Sequence, residues 1–265
     1  MSVLEAIILG IIQGLTEFLP VSSSGHLELV KVMFGQDTIA EESMLFTIVL
    51  HGATALSTVV VFKQEIVDIF KGLLKFEWNA ETKFAAFILV SMIPVFVVGM
   101  FFRSELETMF SGNILLVGIS LIFTAALLYS TTRITLKDGE MTYKRAILIG
   151  IAQAVAVLPG VSRSGATISV ALLSGLSKDR AAKFSFLMVL PVIFGAMLLE
   201  SLEFIETQPV RTIDNLSLTV GFIAAFIAGL FACRWMISIV KRAKLDYFAY
   251  YCVTVGIIAV IYGLI

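Results

Sequence analysis

The chain has 265 residues, 58% of them hydrophobic and 15% charged, with a formal net charge of −1. A water-soluble domain needs more polar residues than this to cover its surface, so a soluble bundle is set aside. The near-zero charge gives no footprint for nucleic acid, and Cys233 and Cys252 both sit in apolar runs, framing neither a disulfide scaffold nor a metal site.

The N-terminal run MSVLEAIILGIIQGLTEF lacks the basic start of a signal peptide, and Glu17 interrupts its apolar stretch. It is therefore expected to belong to the mature protein. Six stretches downstream are almost free of charge: Met44–Phe62, Phe84–Phe102, Asn113–Ser130, Phe184–Leu202, Ser217–Met236 and Tyr247–Ile265. Each is long enough, or nearly so, to cross about 30 Å of hydrocarbon as a helix.

The cations between these stretches set an orientation. Lys63, Lys71, Lys75 and Lys83 fall in one segment, and Arg133, Lys137, Lys144 and Arg145 in another. Lys178, Arg180 and Lys183 form a third group, and Arg234, Lys241, Arg242 and Lys244 a fourth. The segments holding Lys31, Arg103 and Arg211 carry a single cation each. The positive-inside rule puts the four rich segments in the cytoplasm and the three poor ones outside.

Two apolar segments then remain, about 1–34 and 146–175. The second has cytoplasmic segments on both sides, so it must enter and leave by one face as a re-entrant helical hairpin. The first does the same from the opposite face if the N-terminus is external. A shift of 140 residues aligns Gly10-Ile-Ile-Gln13 with Gly150-Ile-Ala-Gln153, and Val21-Ser-Ser-Ser-Gly25 with Val161-Ser-Arg-Ser-Gly165. The sequence thus predicts one all-α polytopic membrane domain over 1–265. Its halves, about 1–130 and 140–265, are each a re-entrant hairpin plus three transmembrane helices, in inverted topology.

Chemistry concentrates at the two hairpin breaks, Gly14-Leu-Thr-Glu17-Phe-Leu-Pro20-Val-Ser-Ser-Ser24-Gly25-His26 and Leu158-Pro159-Gly160-Val-Ser162-Arg163-Ser164-Gly165-Ala-Thr167. Proline ends the incoming helix, and the Ser/Gly run starts the outgoing one with serine caps. Non-helical backbone at membrane depth must line a polar cavity, and two helix N-termini facing each other make an anion cradle. The expected phosphate-binding set is Gln13, Ser22, Ser24, Gly25, Ser162, Ser164, Gly165 and Thr167.

Glu17 and Arg163 are ionisable groups inside otherwise apolar hairpins, where charge is costly and marks function. A purely structural ion pair between them would leave His26 and the crowd of hydroxyls unexplained. Arg163 suits a phosphate through its planar fork, and His26 can hold or pass a proton near neutral pH. Ser22, Ser23 and Ser24 stay open between cap, phosphate ligand and nucleophile. Under the shift, Glu17 faces Val157, Ser23 faces Arg163 and His26 faces Ala166, so acid–base groups sit in one copy and the anion clamp in the other. That asymmetry tilts the reading from transporter to enzyme. His51, the other histidine, is either a packed core residue or a supporting one.

At these loops the chain closely resembles the undecaprenyl-diphosphate phosphatases, the bacitracin-resistance proteins. The resemblance rests on Gln13-Gly-Leu-Thr-Glu17-Phe-Leu-Pro-Val-Ser-Ser-Ser24-Gly-His26 and on Leu158-Pro-Gly-Val-Ser-Arg163-Ser-Gly-Ala-Thr167. It implies hydrolysis of undecaprenyl diphosphate to undecaprenyl phosphate and inorganic phosphate, recycling the lipid carrier of cell-wall synthesis. The expected setting is the outer, periplasmic face of the bacterial cytoplasmic (inner) membrane. It also implies a divalent cation, Mg²⁺ or Ca²⁺, held at Glu17, essential roles for Glu17, Ser23, His26 and Arg163, and a homodimer. Gln13 stands where many members carry Glu, leaving Glu17 to hold the cation more nearly alone. Attack by Ser23, with His26 relaying its proton, and attack by a water activated by Glu17 and His26 both fit. The competing class is a transporter or flippase for polyprenyl phosphate.

Overall fold

The computed structural model describes residues 1–33, 40–102, 113–134, 138–207, 213–242 and 244–265, together with Glu105 and Met109. Arg103, Lys137 and Arg211, used above for orientation, lie outside the described residues. The described helices are α1 (Val3–Thr16), α2 (Ser23–Met33), α3 (Ala40–Val61), α4 (Lys63–Leu73), α5 (Ala80–Phe101) and α6 (Ile114–Ser130). After a 3-10 turn come α7 (Tyr143–Val155), α8 (Arg163–Leu173), α9 (Lys178–Thr207), α10 (Asn215–Lys241) and α11 (Asp246–Leu264).

Helix starts are fixed by short polar side chains. Ser2 and Glu5 form a reciprocal capping box on α1, and Asn79, Asn113, Thr142 and Asp214 accept the N–H three residues on at α5, α6, α7 and α10. Among the described residues, five helices are long and apolar enough to cross a membrane, and α3 with α4 makes a sixth candidate as a bent pair. The six expected spans fall on these helices. The chain turns by 76° between α3 and α4. Sequence reading took 63–83 only as a cationic connection, whereas its first part is an amphipathic helix.

Two pairs of short helices stand apart from the spans. α1 and α2 flank one break and α7 and α8 the other, with 14, 11, 13 and 11 residues respectively. At about 1.5 Å per residue none of them alone reaches across 30 Å of hydrocarbon.

The packing of these hairpins is reciprocal. α1 lies along α10, and α7 lies along α5; α6 pairs with α11, and α3 with α9. Small residues allow the close approach. A Cβ on Gly118 would fall 2.8 Å from the Gly256 carbonyl oxygen, and one on Gly256 would fall 2.9 Å from that of Gly118. Without a hydrophobic force between helices in lipid, such backbone contact supplies the dispersion that holds them. The break loops meet in the same fashion: Gly25 packs on Gly160, and Gly165 on Pro20. Gly160 has φ +88° against the α6 backbone at Val117, a place and conformation closed to any residue with a Cβ. Around the loops, Phe18 and Phe62 pack on Phe186 at ring-centroid distances of 5.9 and 6.0 Å.

Candidate active site

The first loop runs from the end of α1 to the start of α2. The N–H of Glu17 still bonds to the Gln13 carbonyl, so its side chain is carried on the last turn of α1, one turn beyond Gln13. Ser22 adopts φ +70° and its Oγ accepts from the Gly25 N–H, capping α2. A left-handed serine costs about 1 kcal/mol or more, and such strain concentrates at functional loops. In the second loop Ser162 Oγ accepts from the Gly165 N–H, capping α8. The expected serine caps are therefore present on both outgoing helices.

These two turns bring Glu17 and Arg163 together. Arg163 Nη2 donates to Glu17 Oε1 at 2.5 Å, with both side chains largely buried. The other carboxylate oxygen, Oε2, accepts from Ser23 Oγ at 2.7 Å and from Gln13 Nε2 at 3.1 Å. His51 on α3 lies within electrostatic reach of the same carboxylate. Two buried atoms beside it have no hydrogen-bond partner, Arg163 Nη1 and Gln13 Oε1. A buried guanidinium N–H without an acceptor is costly, and at a functional site it marks a place for a ligand.

His26 is held differently. Its Nδ1 lies 2.8 Å from the Ser22 carbonyl oxygen and its Nε2 lies 2.7 Å from the Tyr251 hydroxyl on α11, the two rings nearly parallel. A carbonyl only accepts, so Nδ1 carries the proton and Nε2 of the neutral ring accepts from Tyr251. Both nitrogens are thus engaged, and Ser23 points its hydrogen bond at Glu17.

The remaining expected residues divide by what their polar atoms are bonded to. Ser24 lies near Ser22, the two hydroxyls 3.4 Å apart, at the start of α2. Ser162, Ser164 and Thr167 are buried and tie the second loop into the protein. The Ser162 N–H donates to Thr124 Oγ1, Ser164 Oγ donates to the Leu19 carbonyl, and Thr167 Oγ1 pairs with Ser185 Oγ at 2.5 Å. Their side chains hold the loops in register, while the backbone N–H groups at the start of α8, like those of α2, have no helical acceptor. Gly25 and Gly165 serve the close approach of the loops.

Sequence reasoning missed Tyr251, an aromatic in an apolar span with no local signal. It also passed over Gln153, the repeat mate of Gln13, which is buried with both amide atoms unpartnered. Cys252 Sγ, 3.4 Å from the Pro20 carbonyl, is a further tie of α11 to the first loop.

For a divalent cation the fit is limited but real. Among the described residues no group of three His, Cys, Asp or Glu side chains converges. The oxygens available are the Glu17 carboxylate and the unpartnered Gln13 Oε1. That set suits an ion that takes one carboxylate and completes its shell with water and substrate phosphate.

Residues 6–258 match the family model described as "Bacitracin resistance protein BacA". The chain is 54% identical over 263 residues to the undecaprenyl-diphosphatase of Christiangramia forsetii, covering 99% of each. It is 51% identical over 262 residues to the undecaprenyl-diphosphatase of Bacteroides fragilis, covering 97% of each, and 39% identical over 269 residues to that of Korarchaeum cryptofilum, covering 97% of this chain and 98% of the relative. Near-complete coverage, together with a buried Glu17–Arg163–Ser23 cluster carried on two interlocked hairpin loops, leads to one conclusion: this chain belongs to the BacA bacitracin-resistance family.

Proposed function

We propose that this protein hydrolyses undecaprenyl diphosphate to undecaprenyl phosphate and inorganic phosphate. The observation that carries the reading is the unpartnered Arg163 Nη1 beside the Glu17–Ser23 hydrogen bond. It puts an anion-seeking donor and a polarised hydroxyl at one point inside an apolar protein. Relatives at 51–54% identity bear the matching name.

The chain's own groups define the steps. Arg163 Nη1 and the free N–H groups at the starts of α2 and α8 grip the diphosphate oxygens. As the substrate draws on the guanidinium, Glu17 is released from part of its ion pair. Ser23 Oγ attacks the terminal phosphorus, an O–P bond forms as the bridging P–O bond breaks, and undecaprenyl phosphate leaves. The hydroxyl proton passes to Glu17 Oε2, the atom it already faces. Water then hydrolyses the phosphoserine, releasing phosphate. Phosphoryl transfer demands positioning and charge stabilisation more than a strong base, so a carboxylate shared with arginine suffices. A bound Mg²⁺ or Ca²⁺ at Glu17 and Gln13 would neutralise phosphate charge. His26 fixes the first turn of α2, and it relays a proton only once water replaces the Tyr251 hydroxyl at Nε2.

The inverted repeat is part of the same reading, supported by the reciprocal pairings of α1 with α10 and α7 with α5. The proposed setting is the cytoplasmic membrane, with the site open to the outer face and the prenyl tail among the apolar helices. This fits a role in carrier recycling and bacitracin resistance. The test is phosphate release from undecaprenyl or farnesyl diphosphate by purified protein in detergent, with and without EDTA. Release that EDTA abolishes supports the reading. Folded protein that moves polyprenyl phosphate between leaflets and releases no phosphate would make it a transporter instead.

A further inference from the structure

The end of the molecule that carries most cations holds a cavity of about 760 Å³ outside the site just described. It lies where the first loop, the end of α10 and the start of α11 meet. Leu19 and Val21 line it, together with the exposed rings of Trp235 and Tyr247. Arg242 and Lys244 line the same cavity and are exposed, and neither has a carboxylate partner among the described residues, unlike Lys241 nearby, which pairs with Asp179 at 3.0 Å.

A cavity between α5, α7 and the second loop occupies the repeat-equivalent position, with Val97, Val98 and Val155 among its lining. Among the described residues its lining holds Glu105 and neither lysine nor arginine. Two unpaired cations lining one cavity with Leu, Val, Trp and Tyr match a lipid's phosphate above its acyl chains at a membrane interface.

We propose that this cavity binds one anionic phospholipid of the leaflet at the cation-rich end, cytoplasmic in the orientation given above. The lipid phosphate sits on Arg242 and Lys244, and an acyl chain runs along Leu19 and Val21. Tyr251, which bonds His26, also borders the cavity, so the bound lipid braces the α11 side of the first loop.

The chain has two tryptophans, Trp78 and Trp235, so Trp78→Phe leaves one reporter inside the cavity. That protein, reconstituted in phosphatidylcholine vesicles, is titrated with brominated phosphatidylglycerol or brominated phosphatidylcholine while Trp235 fluorescence is read. The anionic lipid is expected to quench at about 10-fold lower mole fraction, each cation near the surface contributing several-fold. Arg242→Gln with Lys244→Gln removes the preference, and Arg242→Lys with Lys244→Arg keeps it. Equal quenching by both lipids, or a preference that survives the double glutamine variant, overturns the proposal. Erasure of the preference by millimolar inorganic phosphate would make the free ion the ligand and overturn it as well. No turnover is measured, so failure here leaves the phosphatase reading untouched.

Discussion

Glu17 and Arg163 stand 146 positions apart in the chain and meet at 2.5 Å, one from each hairpin break. Each is the last ionisable group one would bury alone in an apolar protein, and together they neutralise one another while leaving Nη1 unsatisfied. The pair thus does two things. It ties the two break loops together, and it leaves an unmet hydrogen bond that a phosphate oxygen can fill.

Ser23 is expected to be the hydroxyl that matters among the three serines. Ser23→Ala should lower phosphate release by about 100-fold or more, the scale of losing one placed group in the transition state. Ser24→Ala should stay within about 10-fold. Rapid-quench labelling with a substrate carrying a labelled terminal phosphate should place label on Ser23; turnover without any label on the protein would favour direct attack by water.

Tyr251→Phe removes the hydroxyl that donates to His26 Nε2 and nothing else. The expected loss is about 1 kcal/mol of fold stability, with a several-fold fall in kcat and little change in KM. A variant indistinguishable from wild type in both would show that the 2.7 Å contact orients nothing.

Gly256→Leu puts a side chain against the Gly118 carbonyl, where a Cβ alone would sit 2.9 Å away. The α6–α11 pair has to move apart, at a cost of about 1–3 kcal/mol from overpacking. Thermal unfolding in detergent should register this, while Gly195→Leu, at a position open on all sides, should be silent.

Orientation is checked by labelling. Cys233 and Cys252 are fully buried, so they add little background. In spheroplasts a membrane-impermeant maleimide should label Asp214→Cys and spare Glu77→Cys until the membrane is opened. Labelling of both before opening would contradict the inverted arrangement.

Much of this was legible in the sequence, and for physical reasons. Lipid forces long apolar runs and makes Glu17 and Arg163 conspicuous, and Pro, Ser and Gly spell out the two breaks. What escaped depended on tertiary partners. The segment Lys63–Leu73 reads as a charged connection because its apolar face, with Ile66 and Ile69 packed on the core, shows only once it is folded. The hydroxyls of Ser162, Ser164 and Thr167 bind loop and helix neighbours whose identity no spacing reveals. Tyr251 meets His26 across 225 positions, with nothing nearby in sequence to announce it.

The central claim, hydrolysis at the Glu17–Arg163–Ser23 cluster, is tested most directly by phosphate release from undecaprenyl diphosphate by wild type, Glu17→Gln and Arg163→Lys. Each protein is first matched for folding by its thermal transition in detergent. The account predicts metal-dependent release by wild type and a loss of about 100-fold or more in each variant, because each removes a charge or fork that the transition state uses. Wild-type rates in folded Glu17→Gln would contradict it.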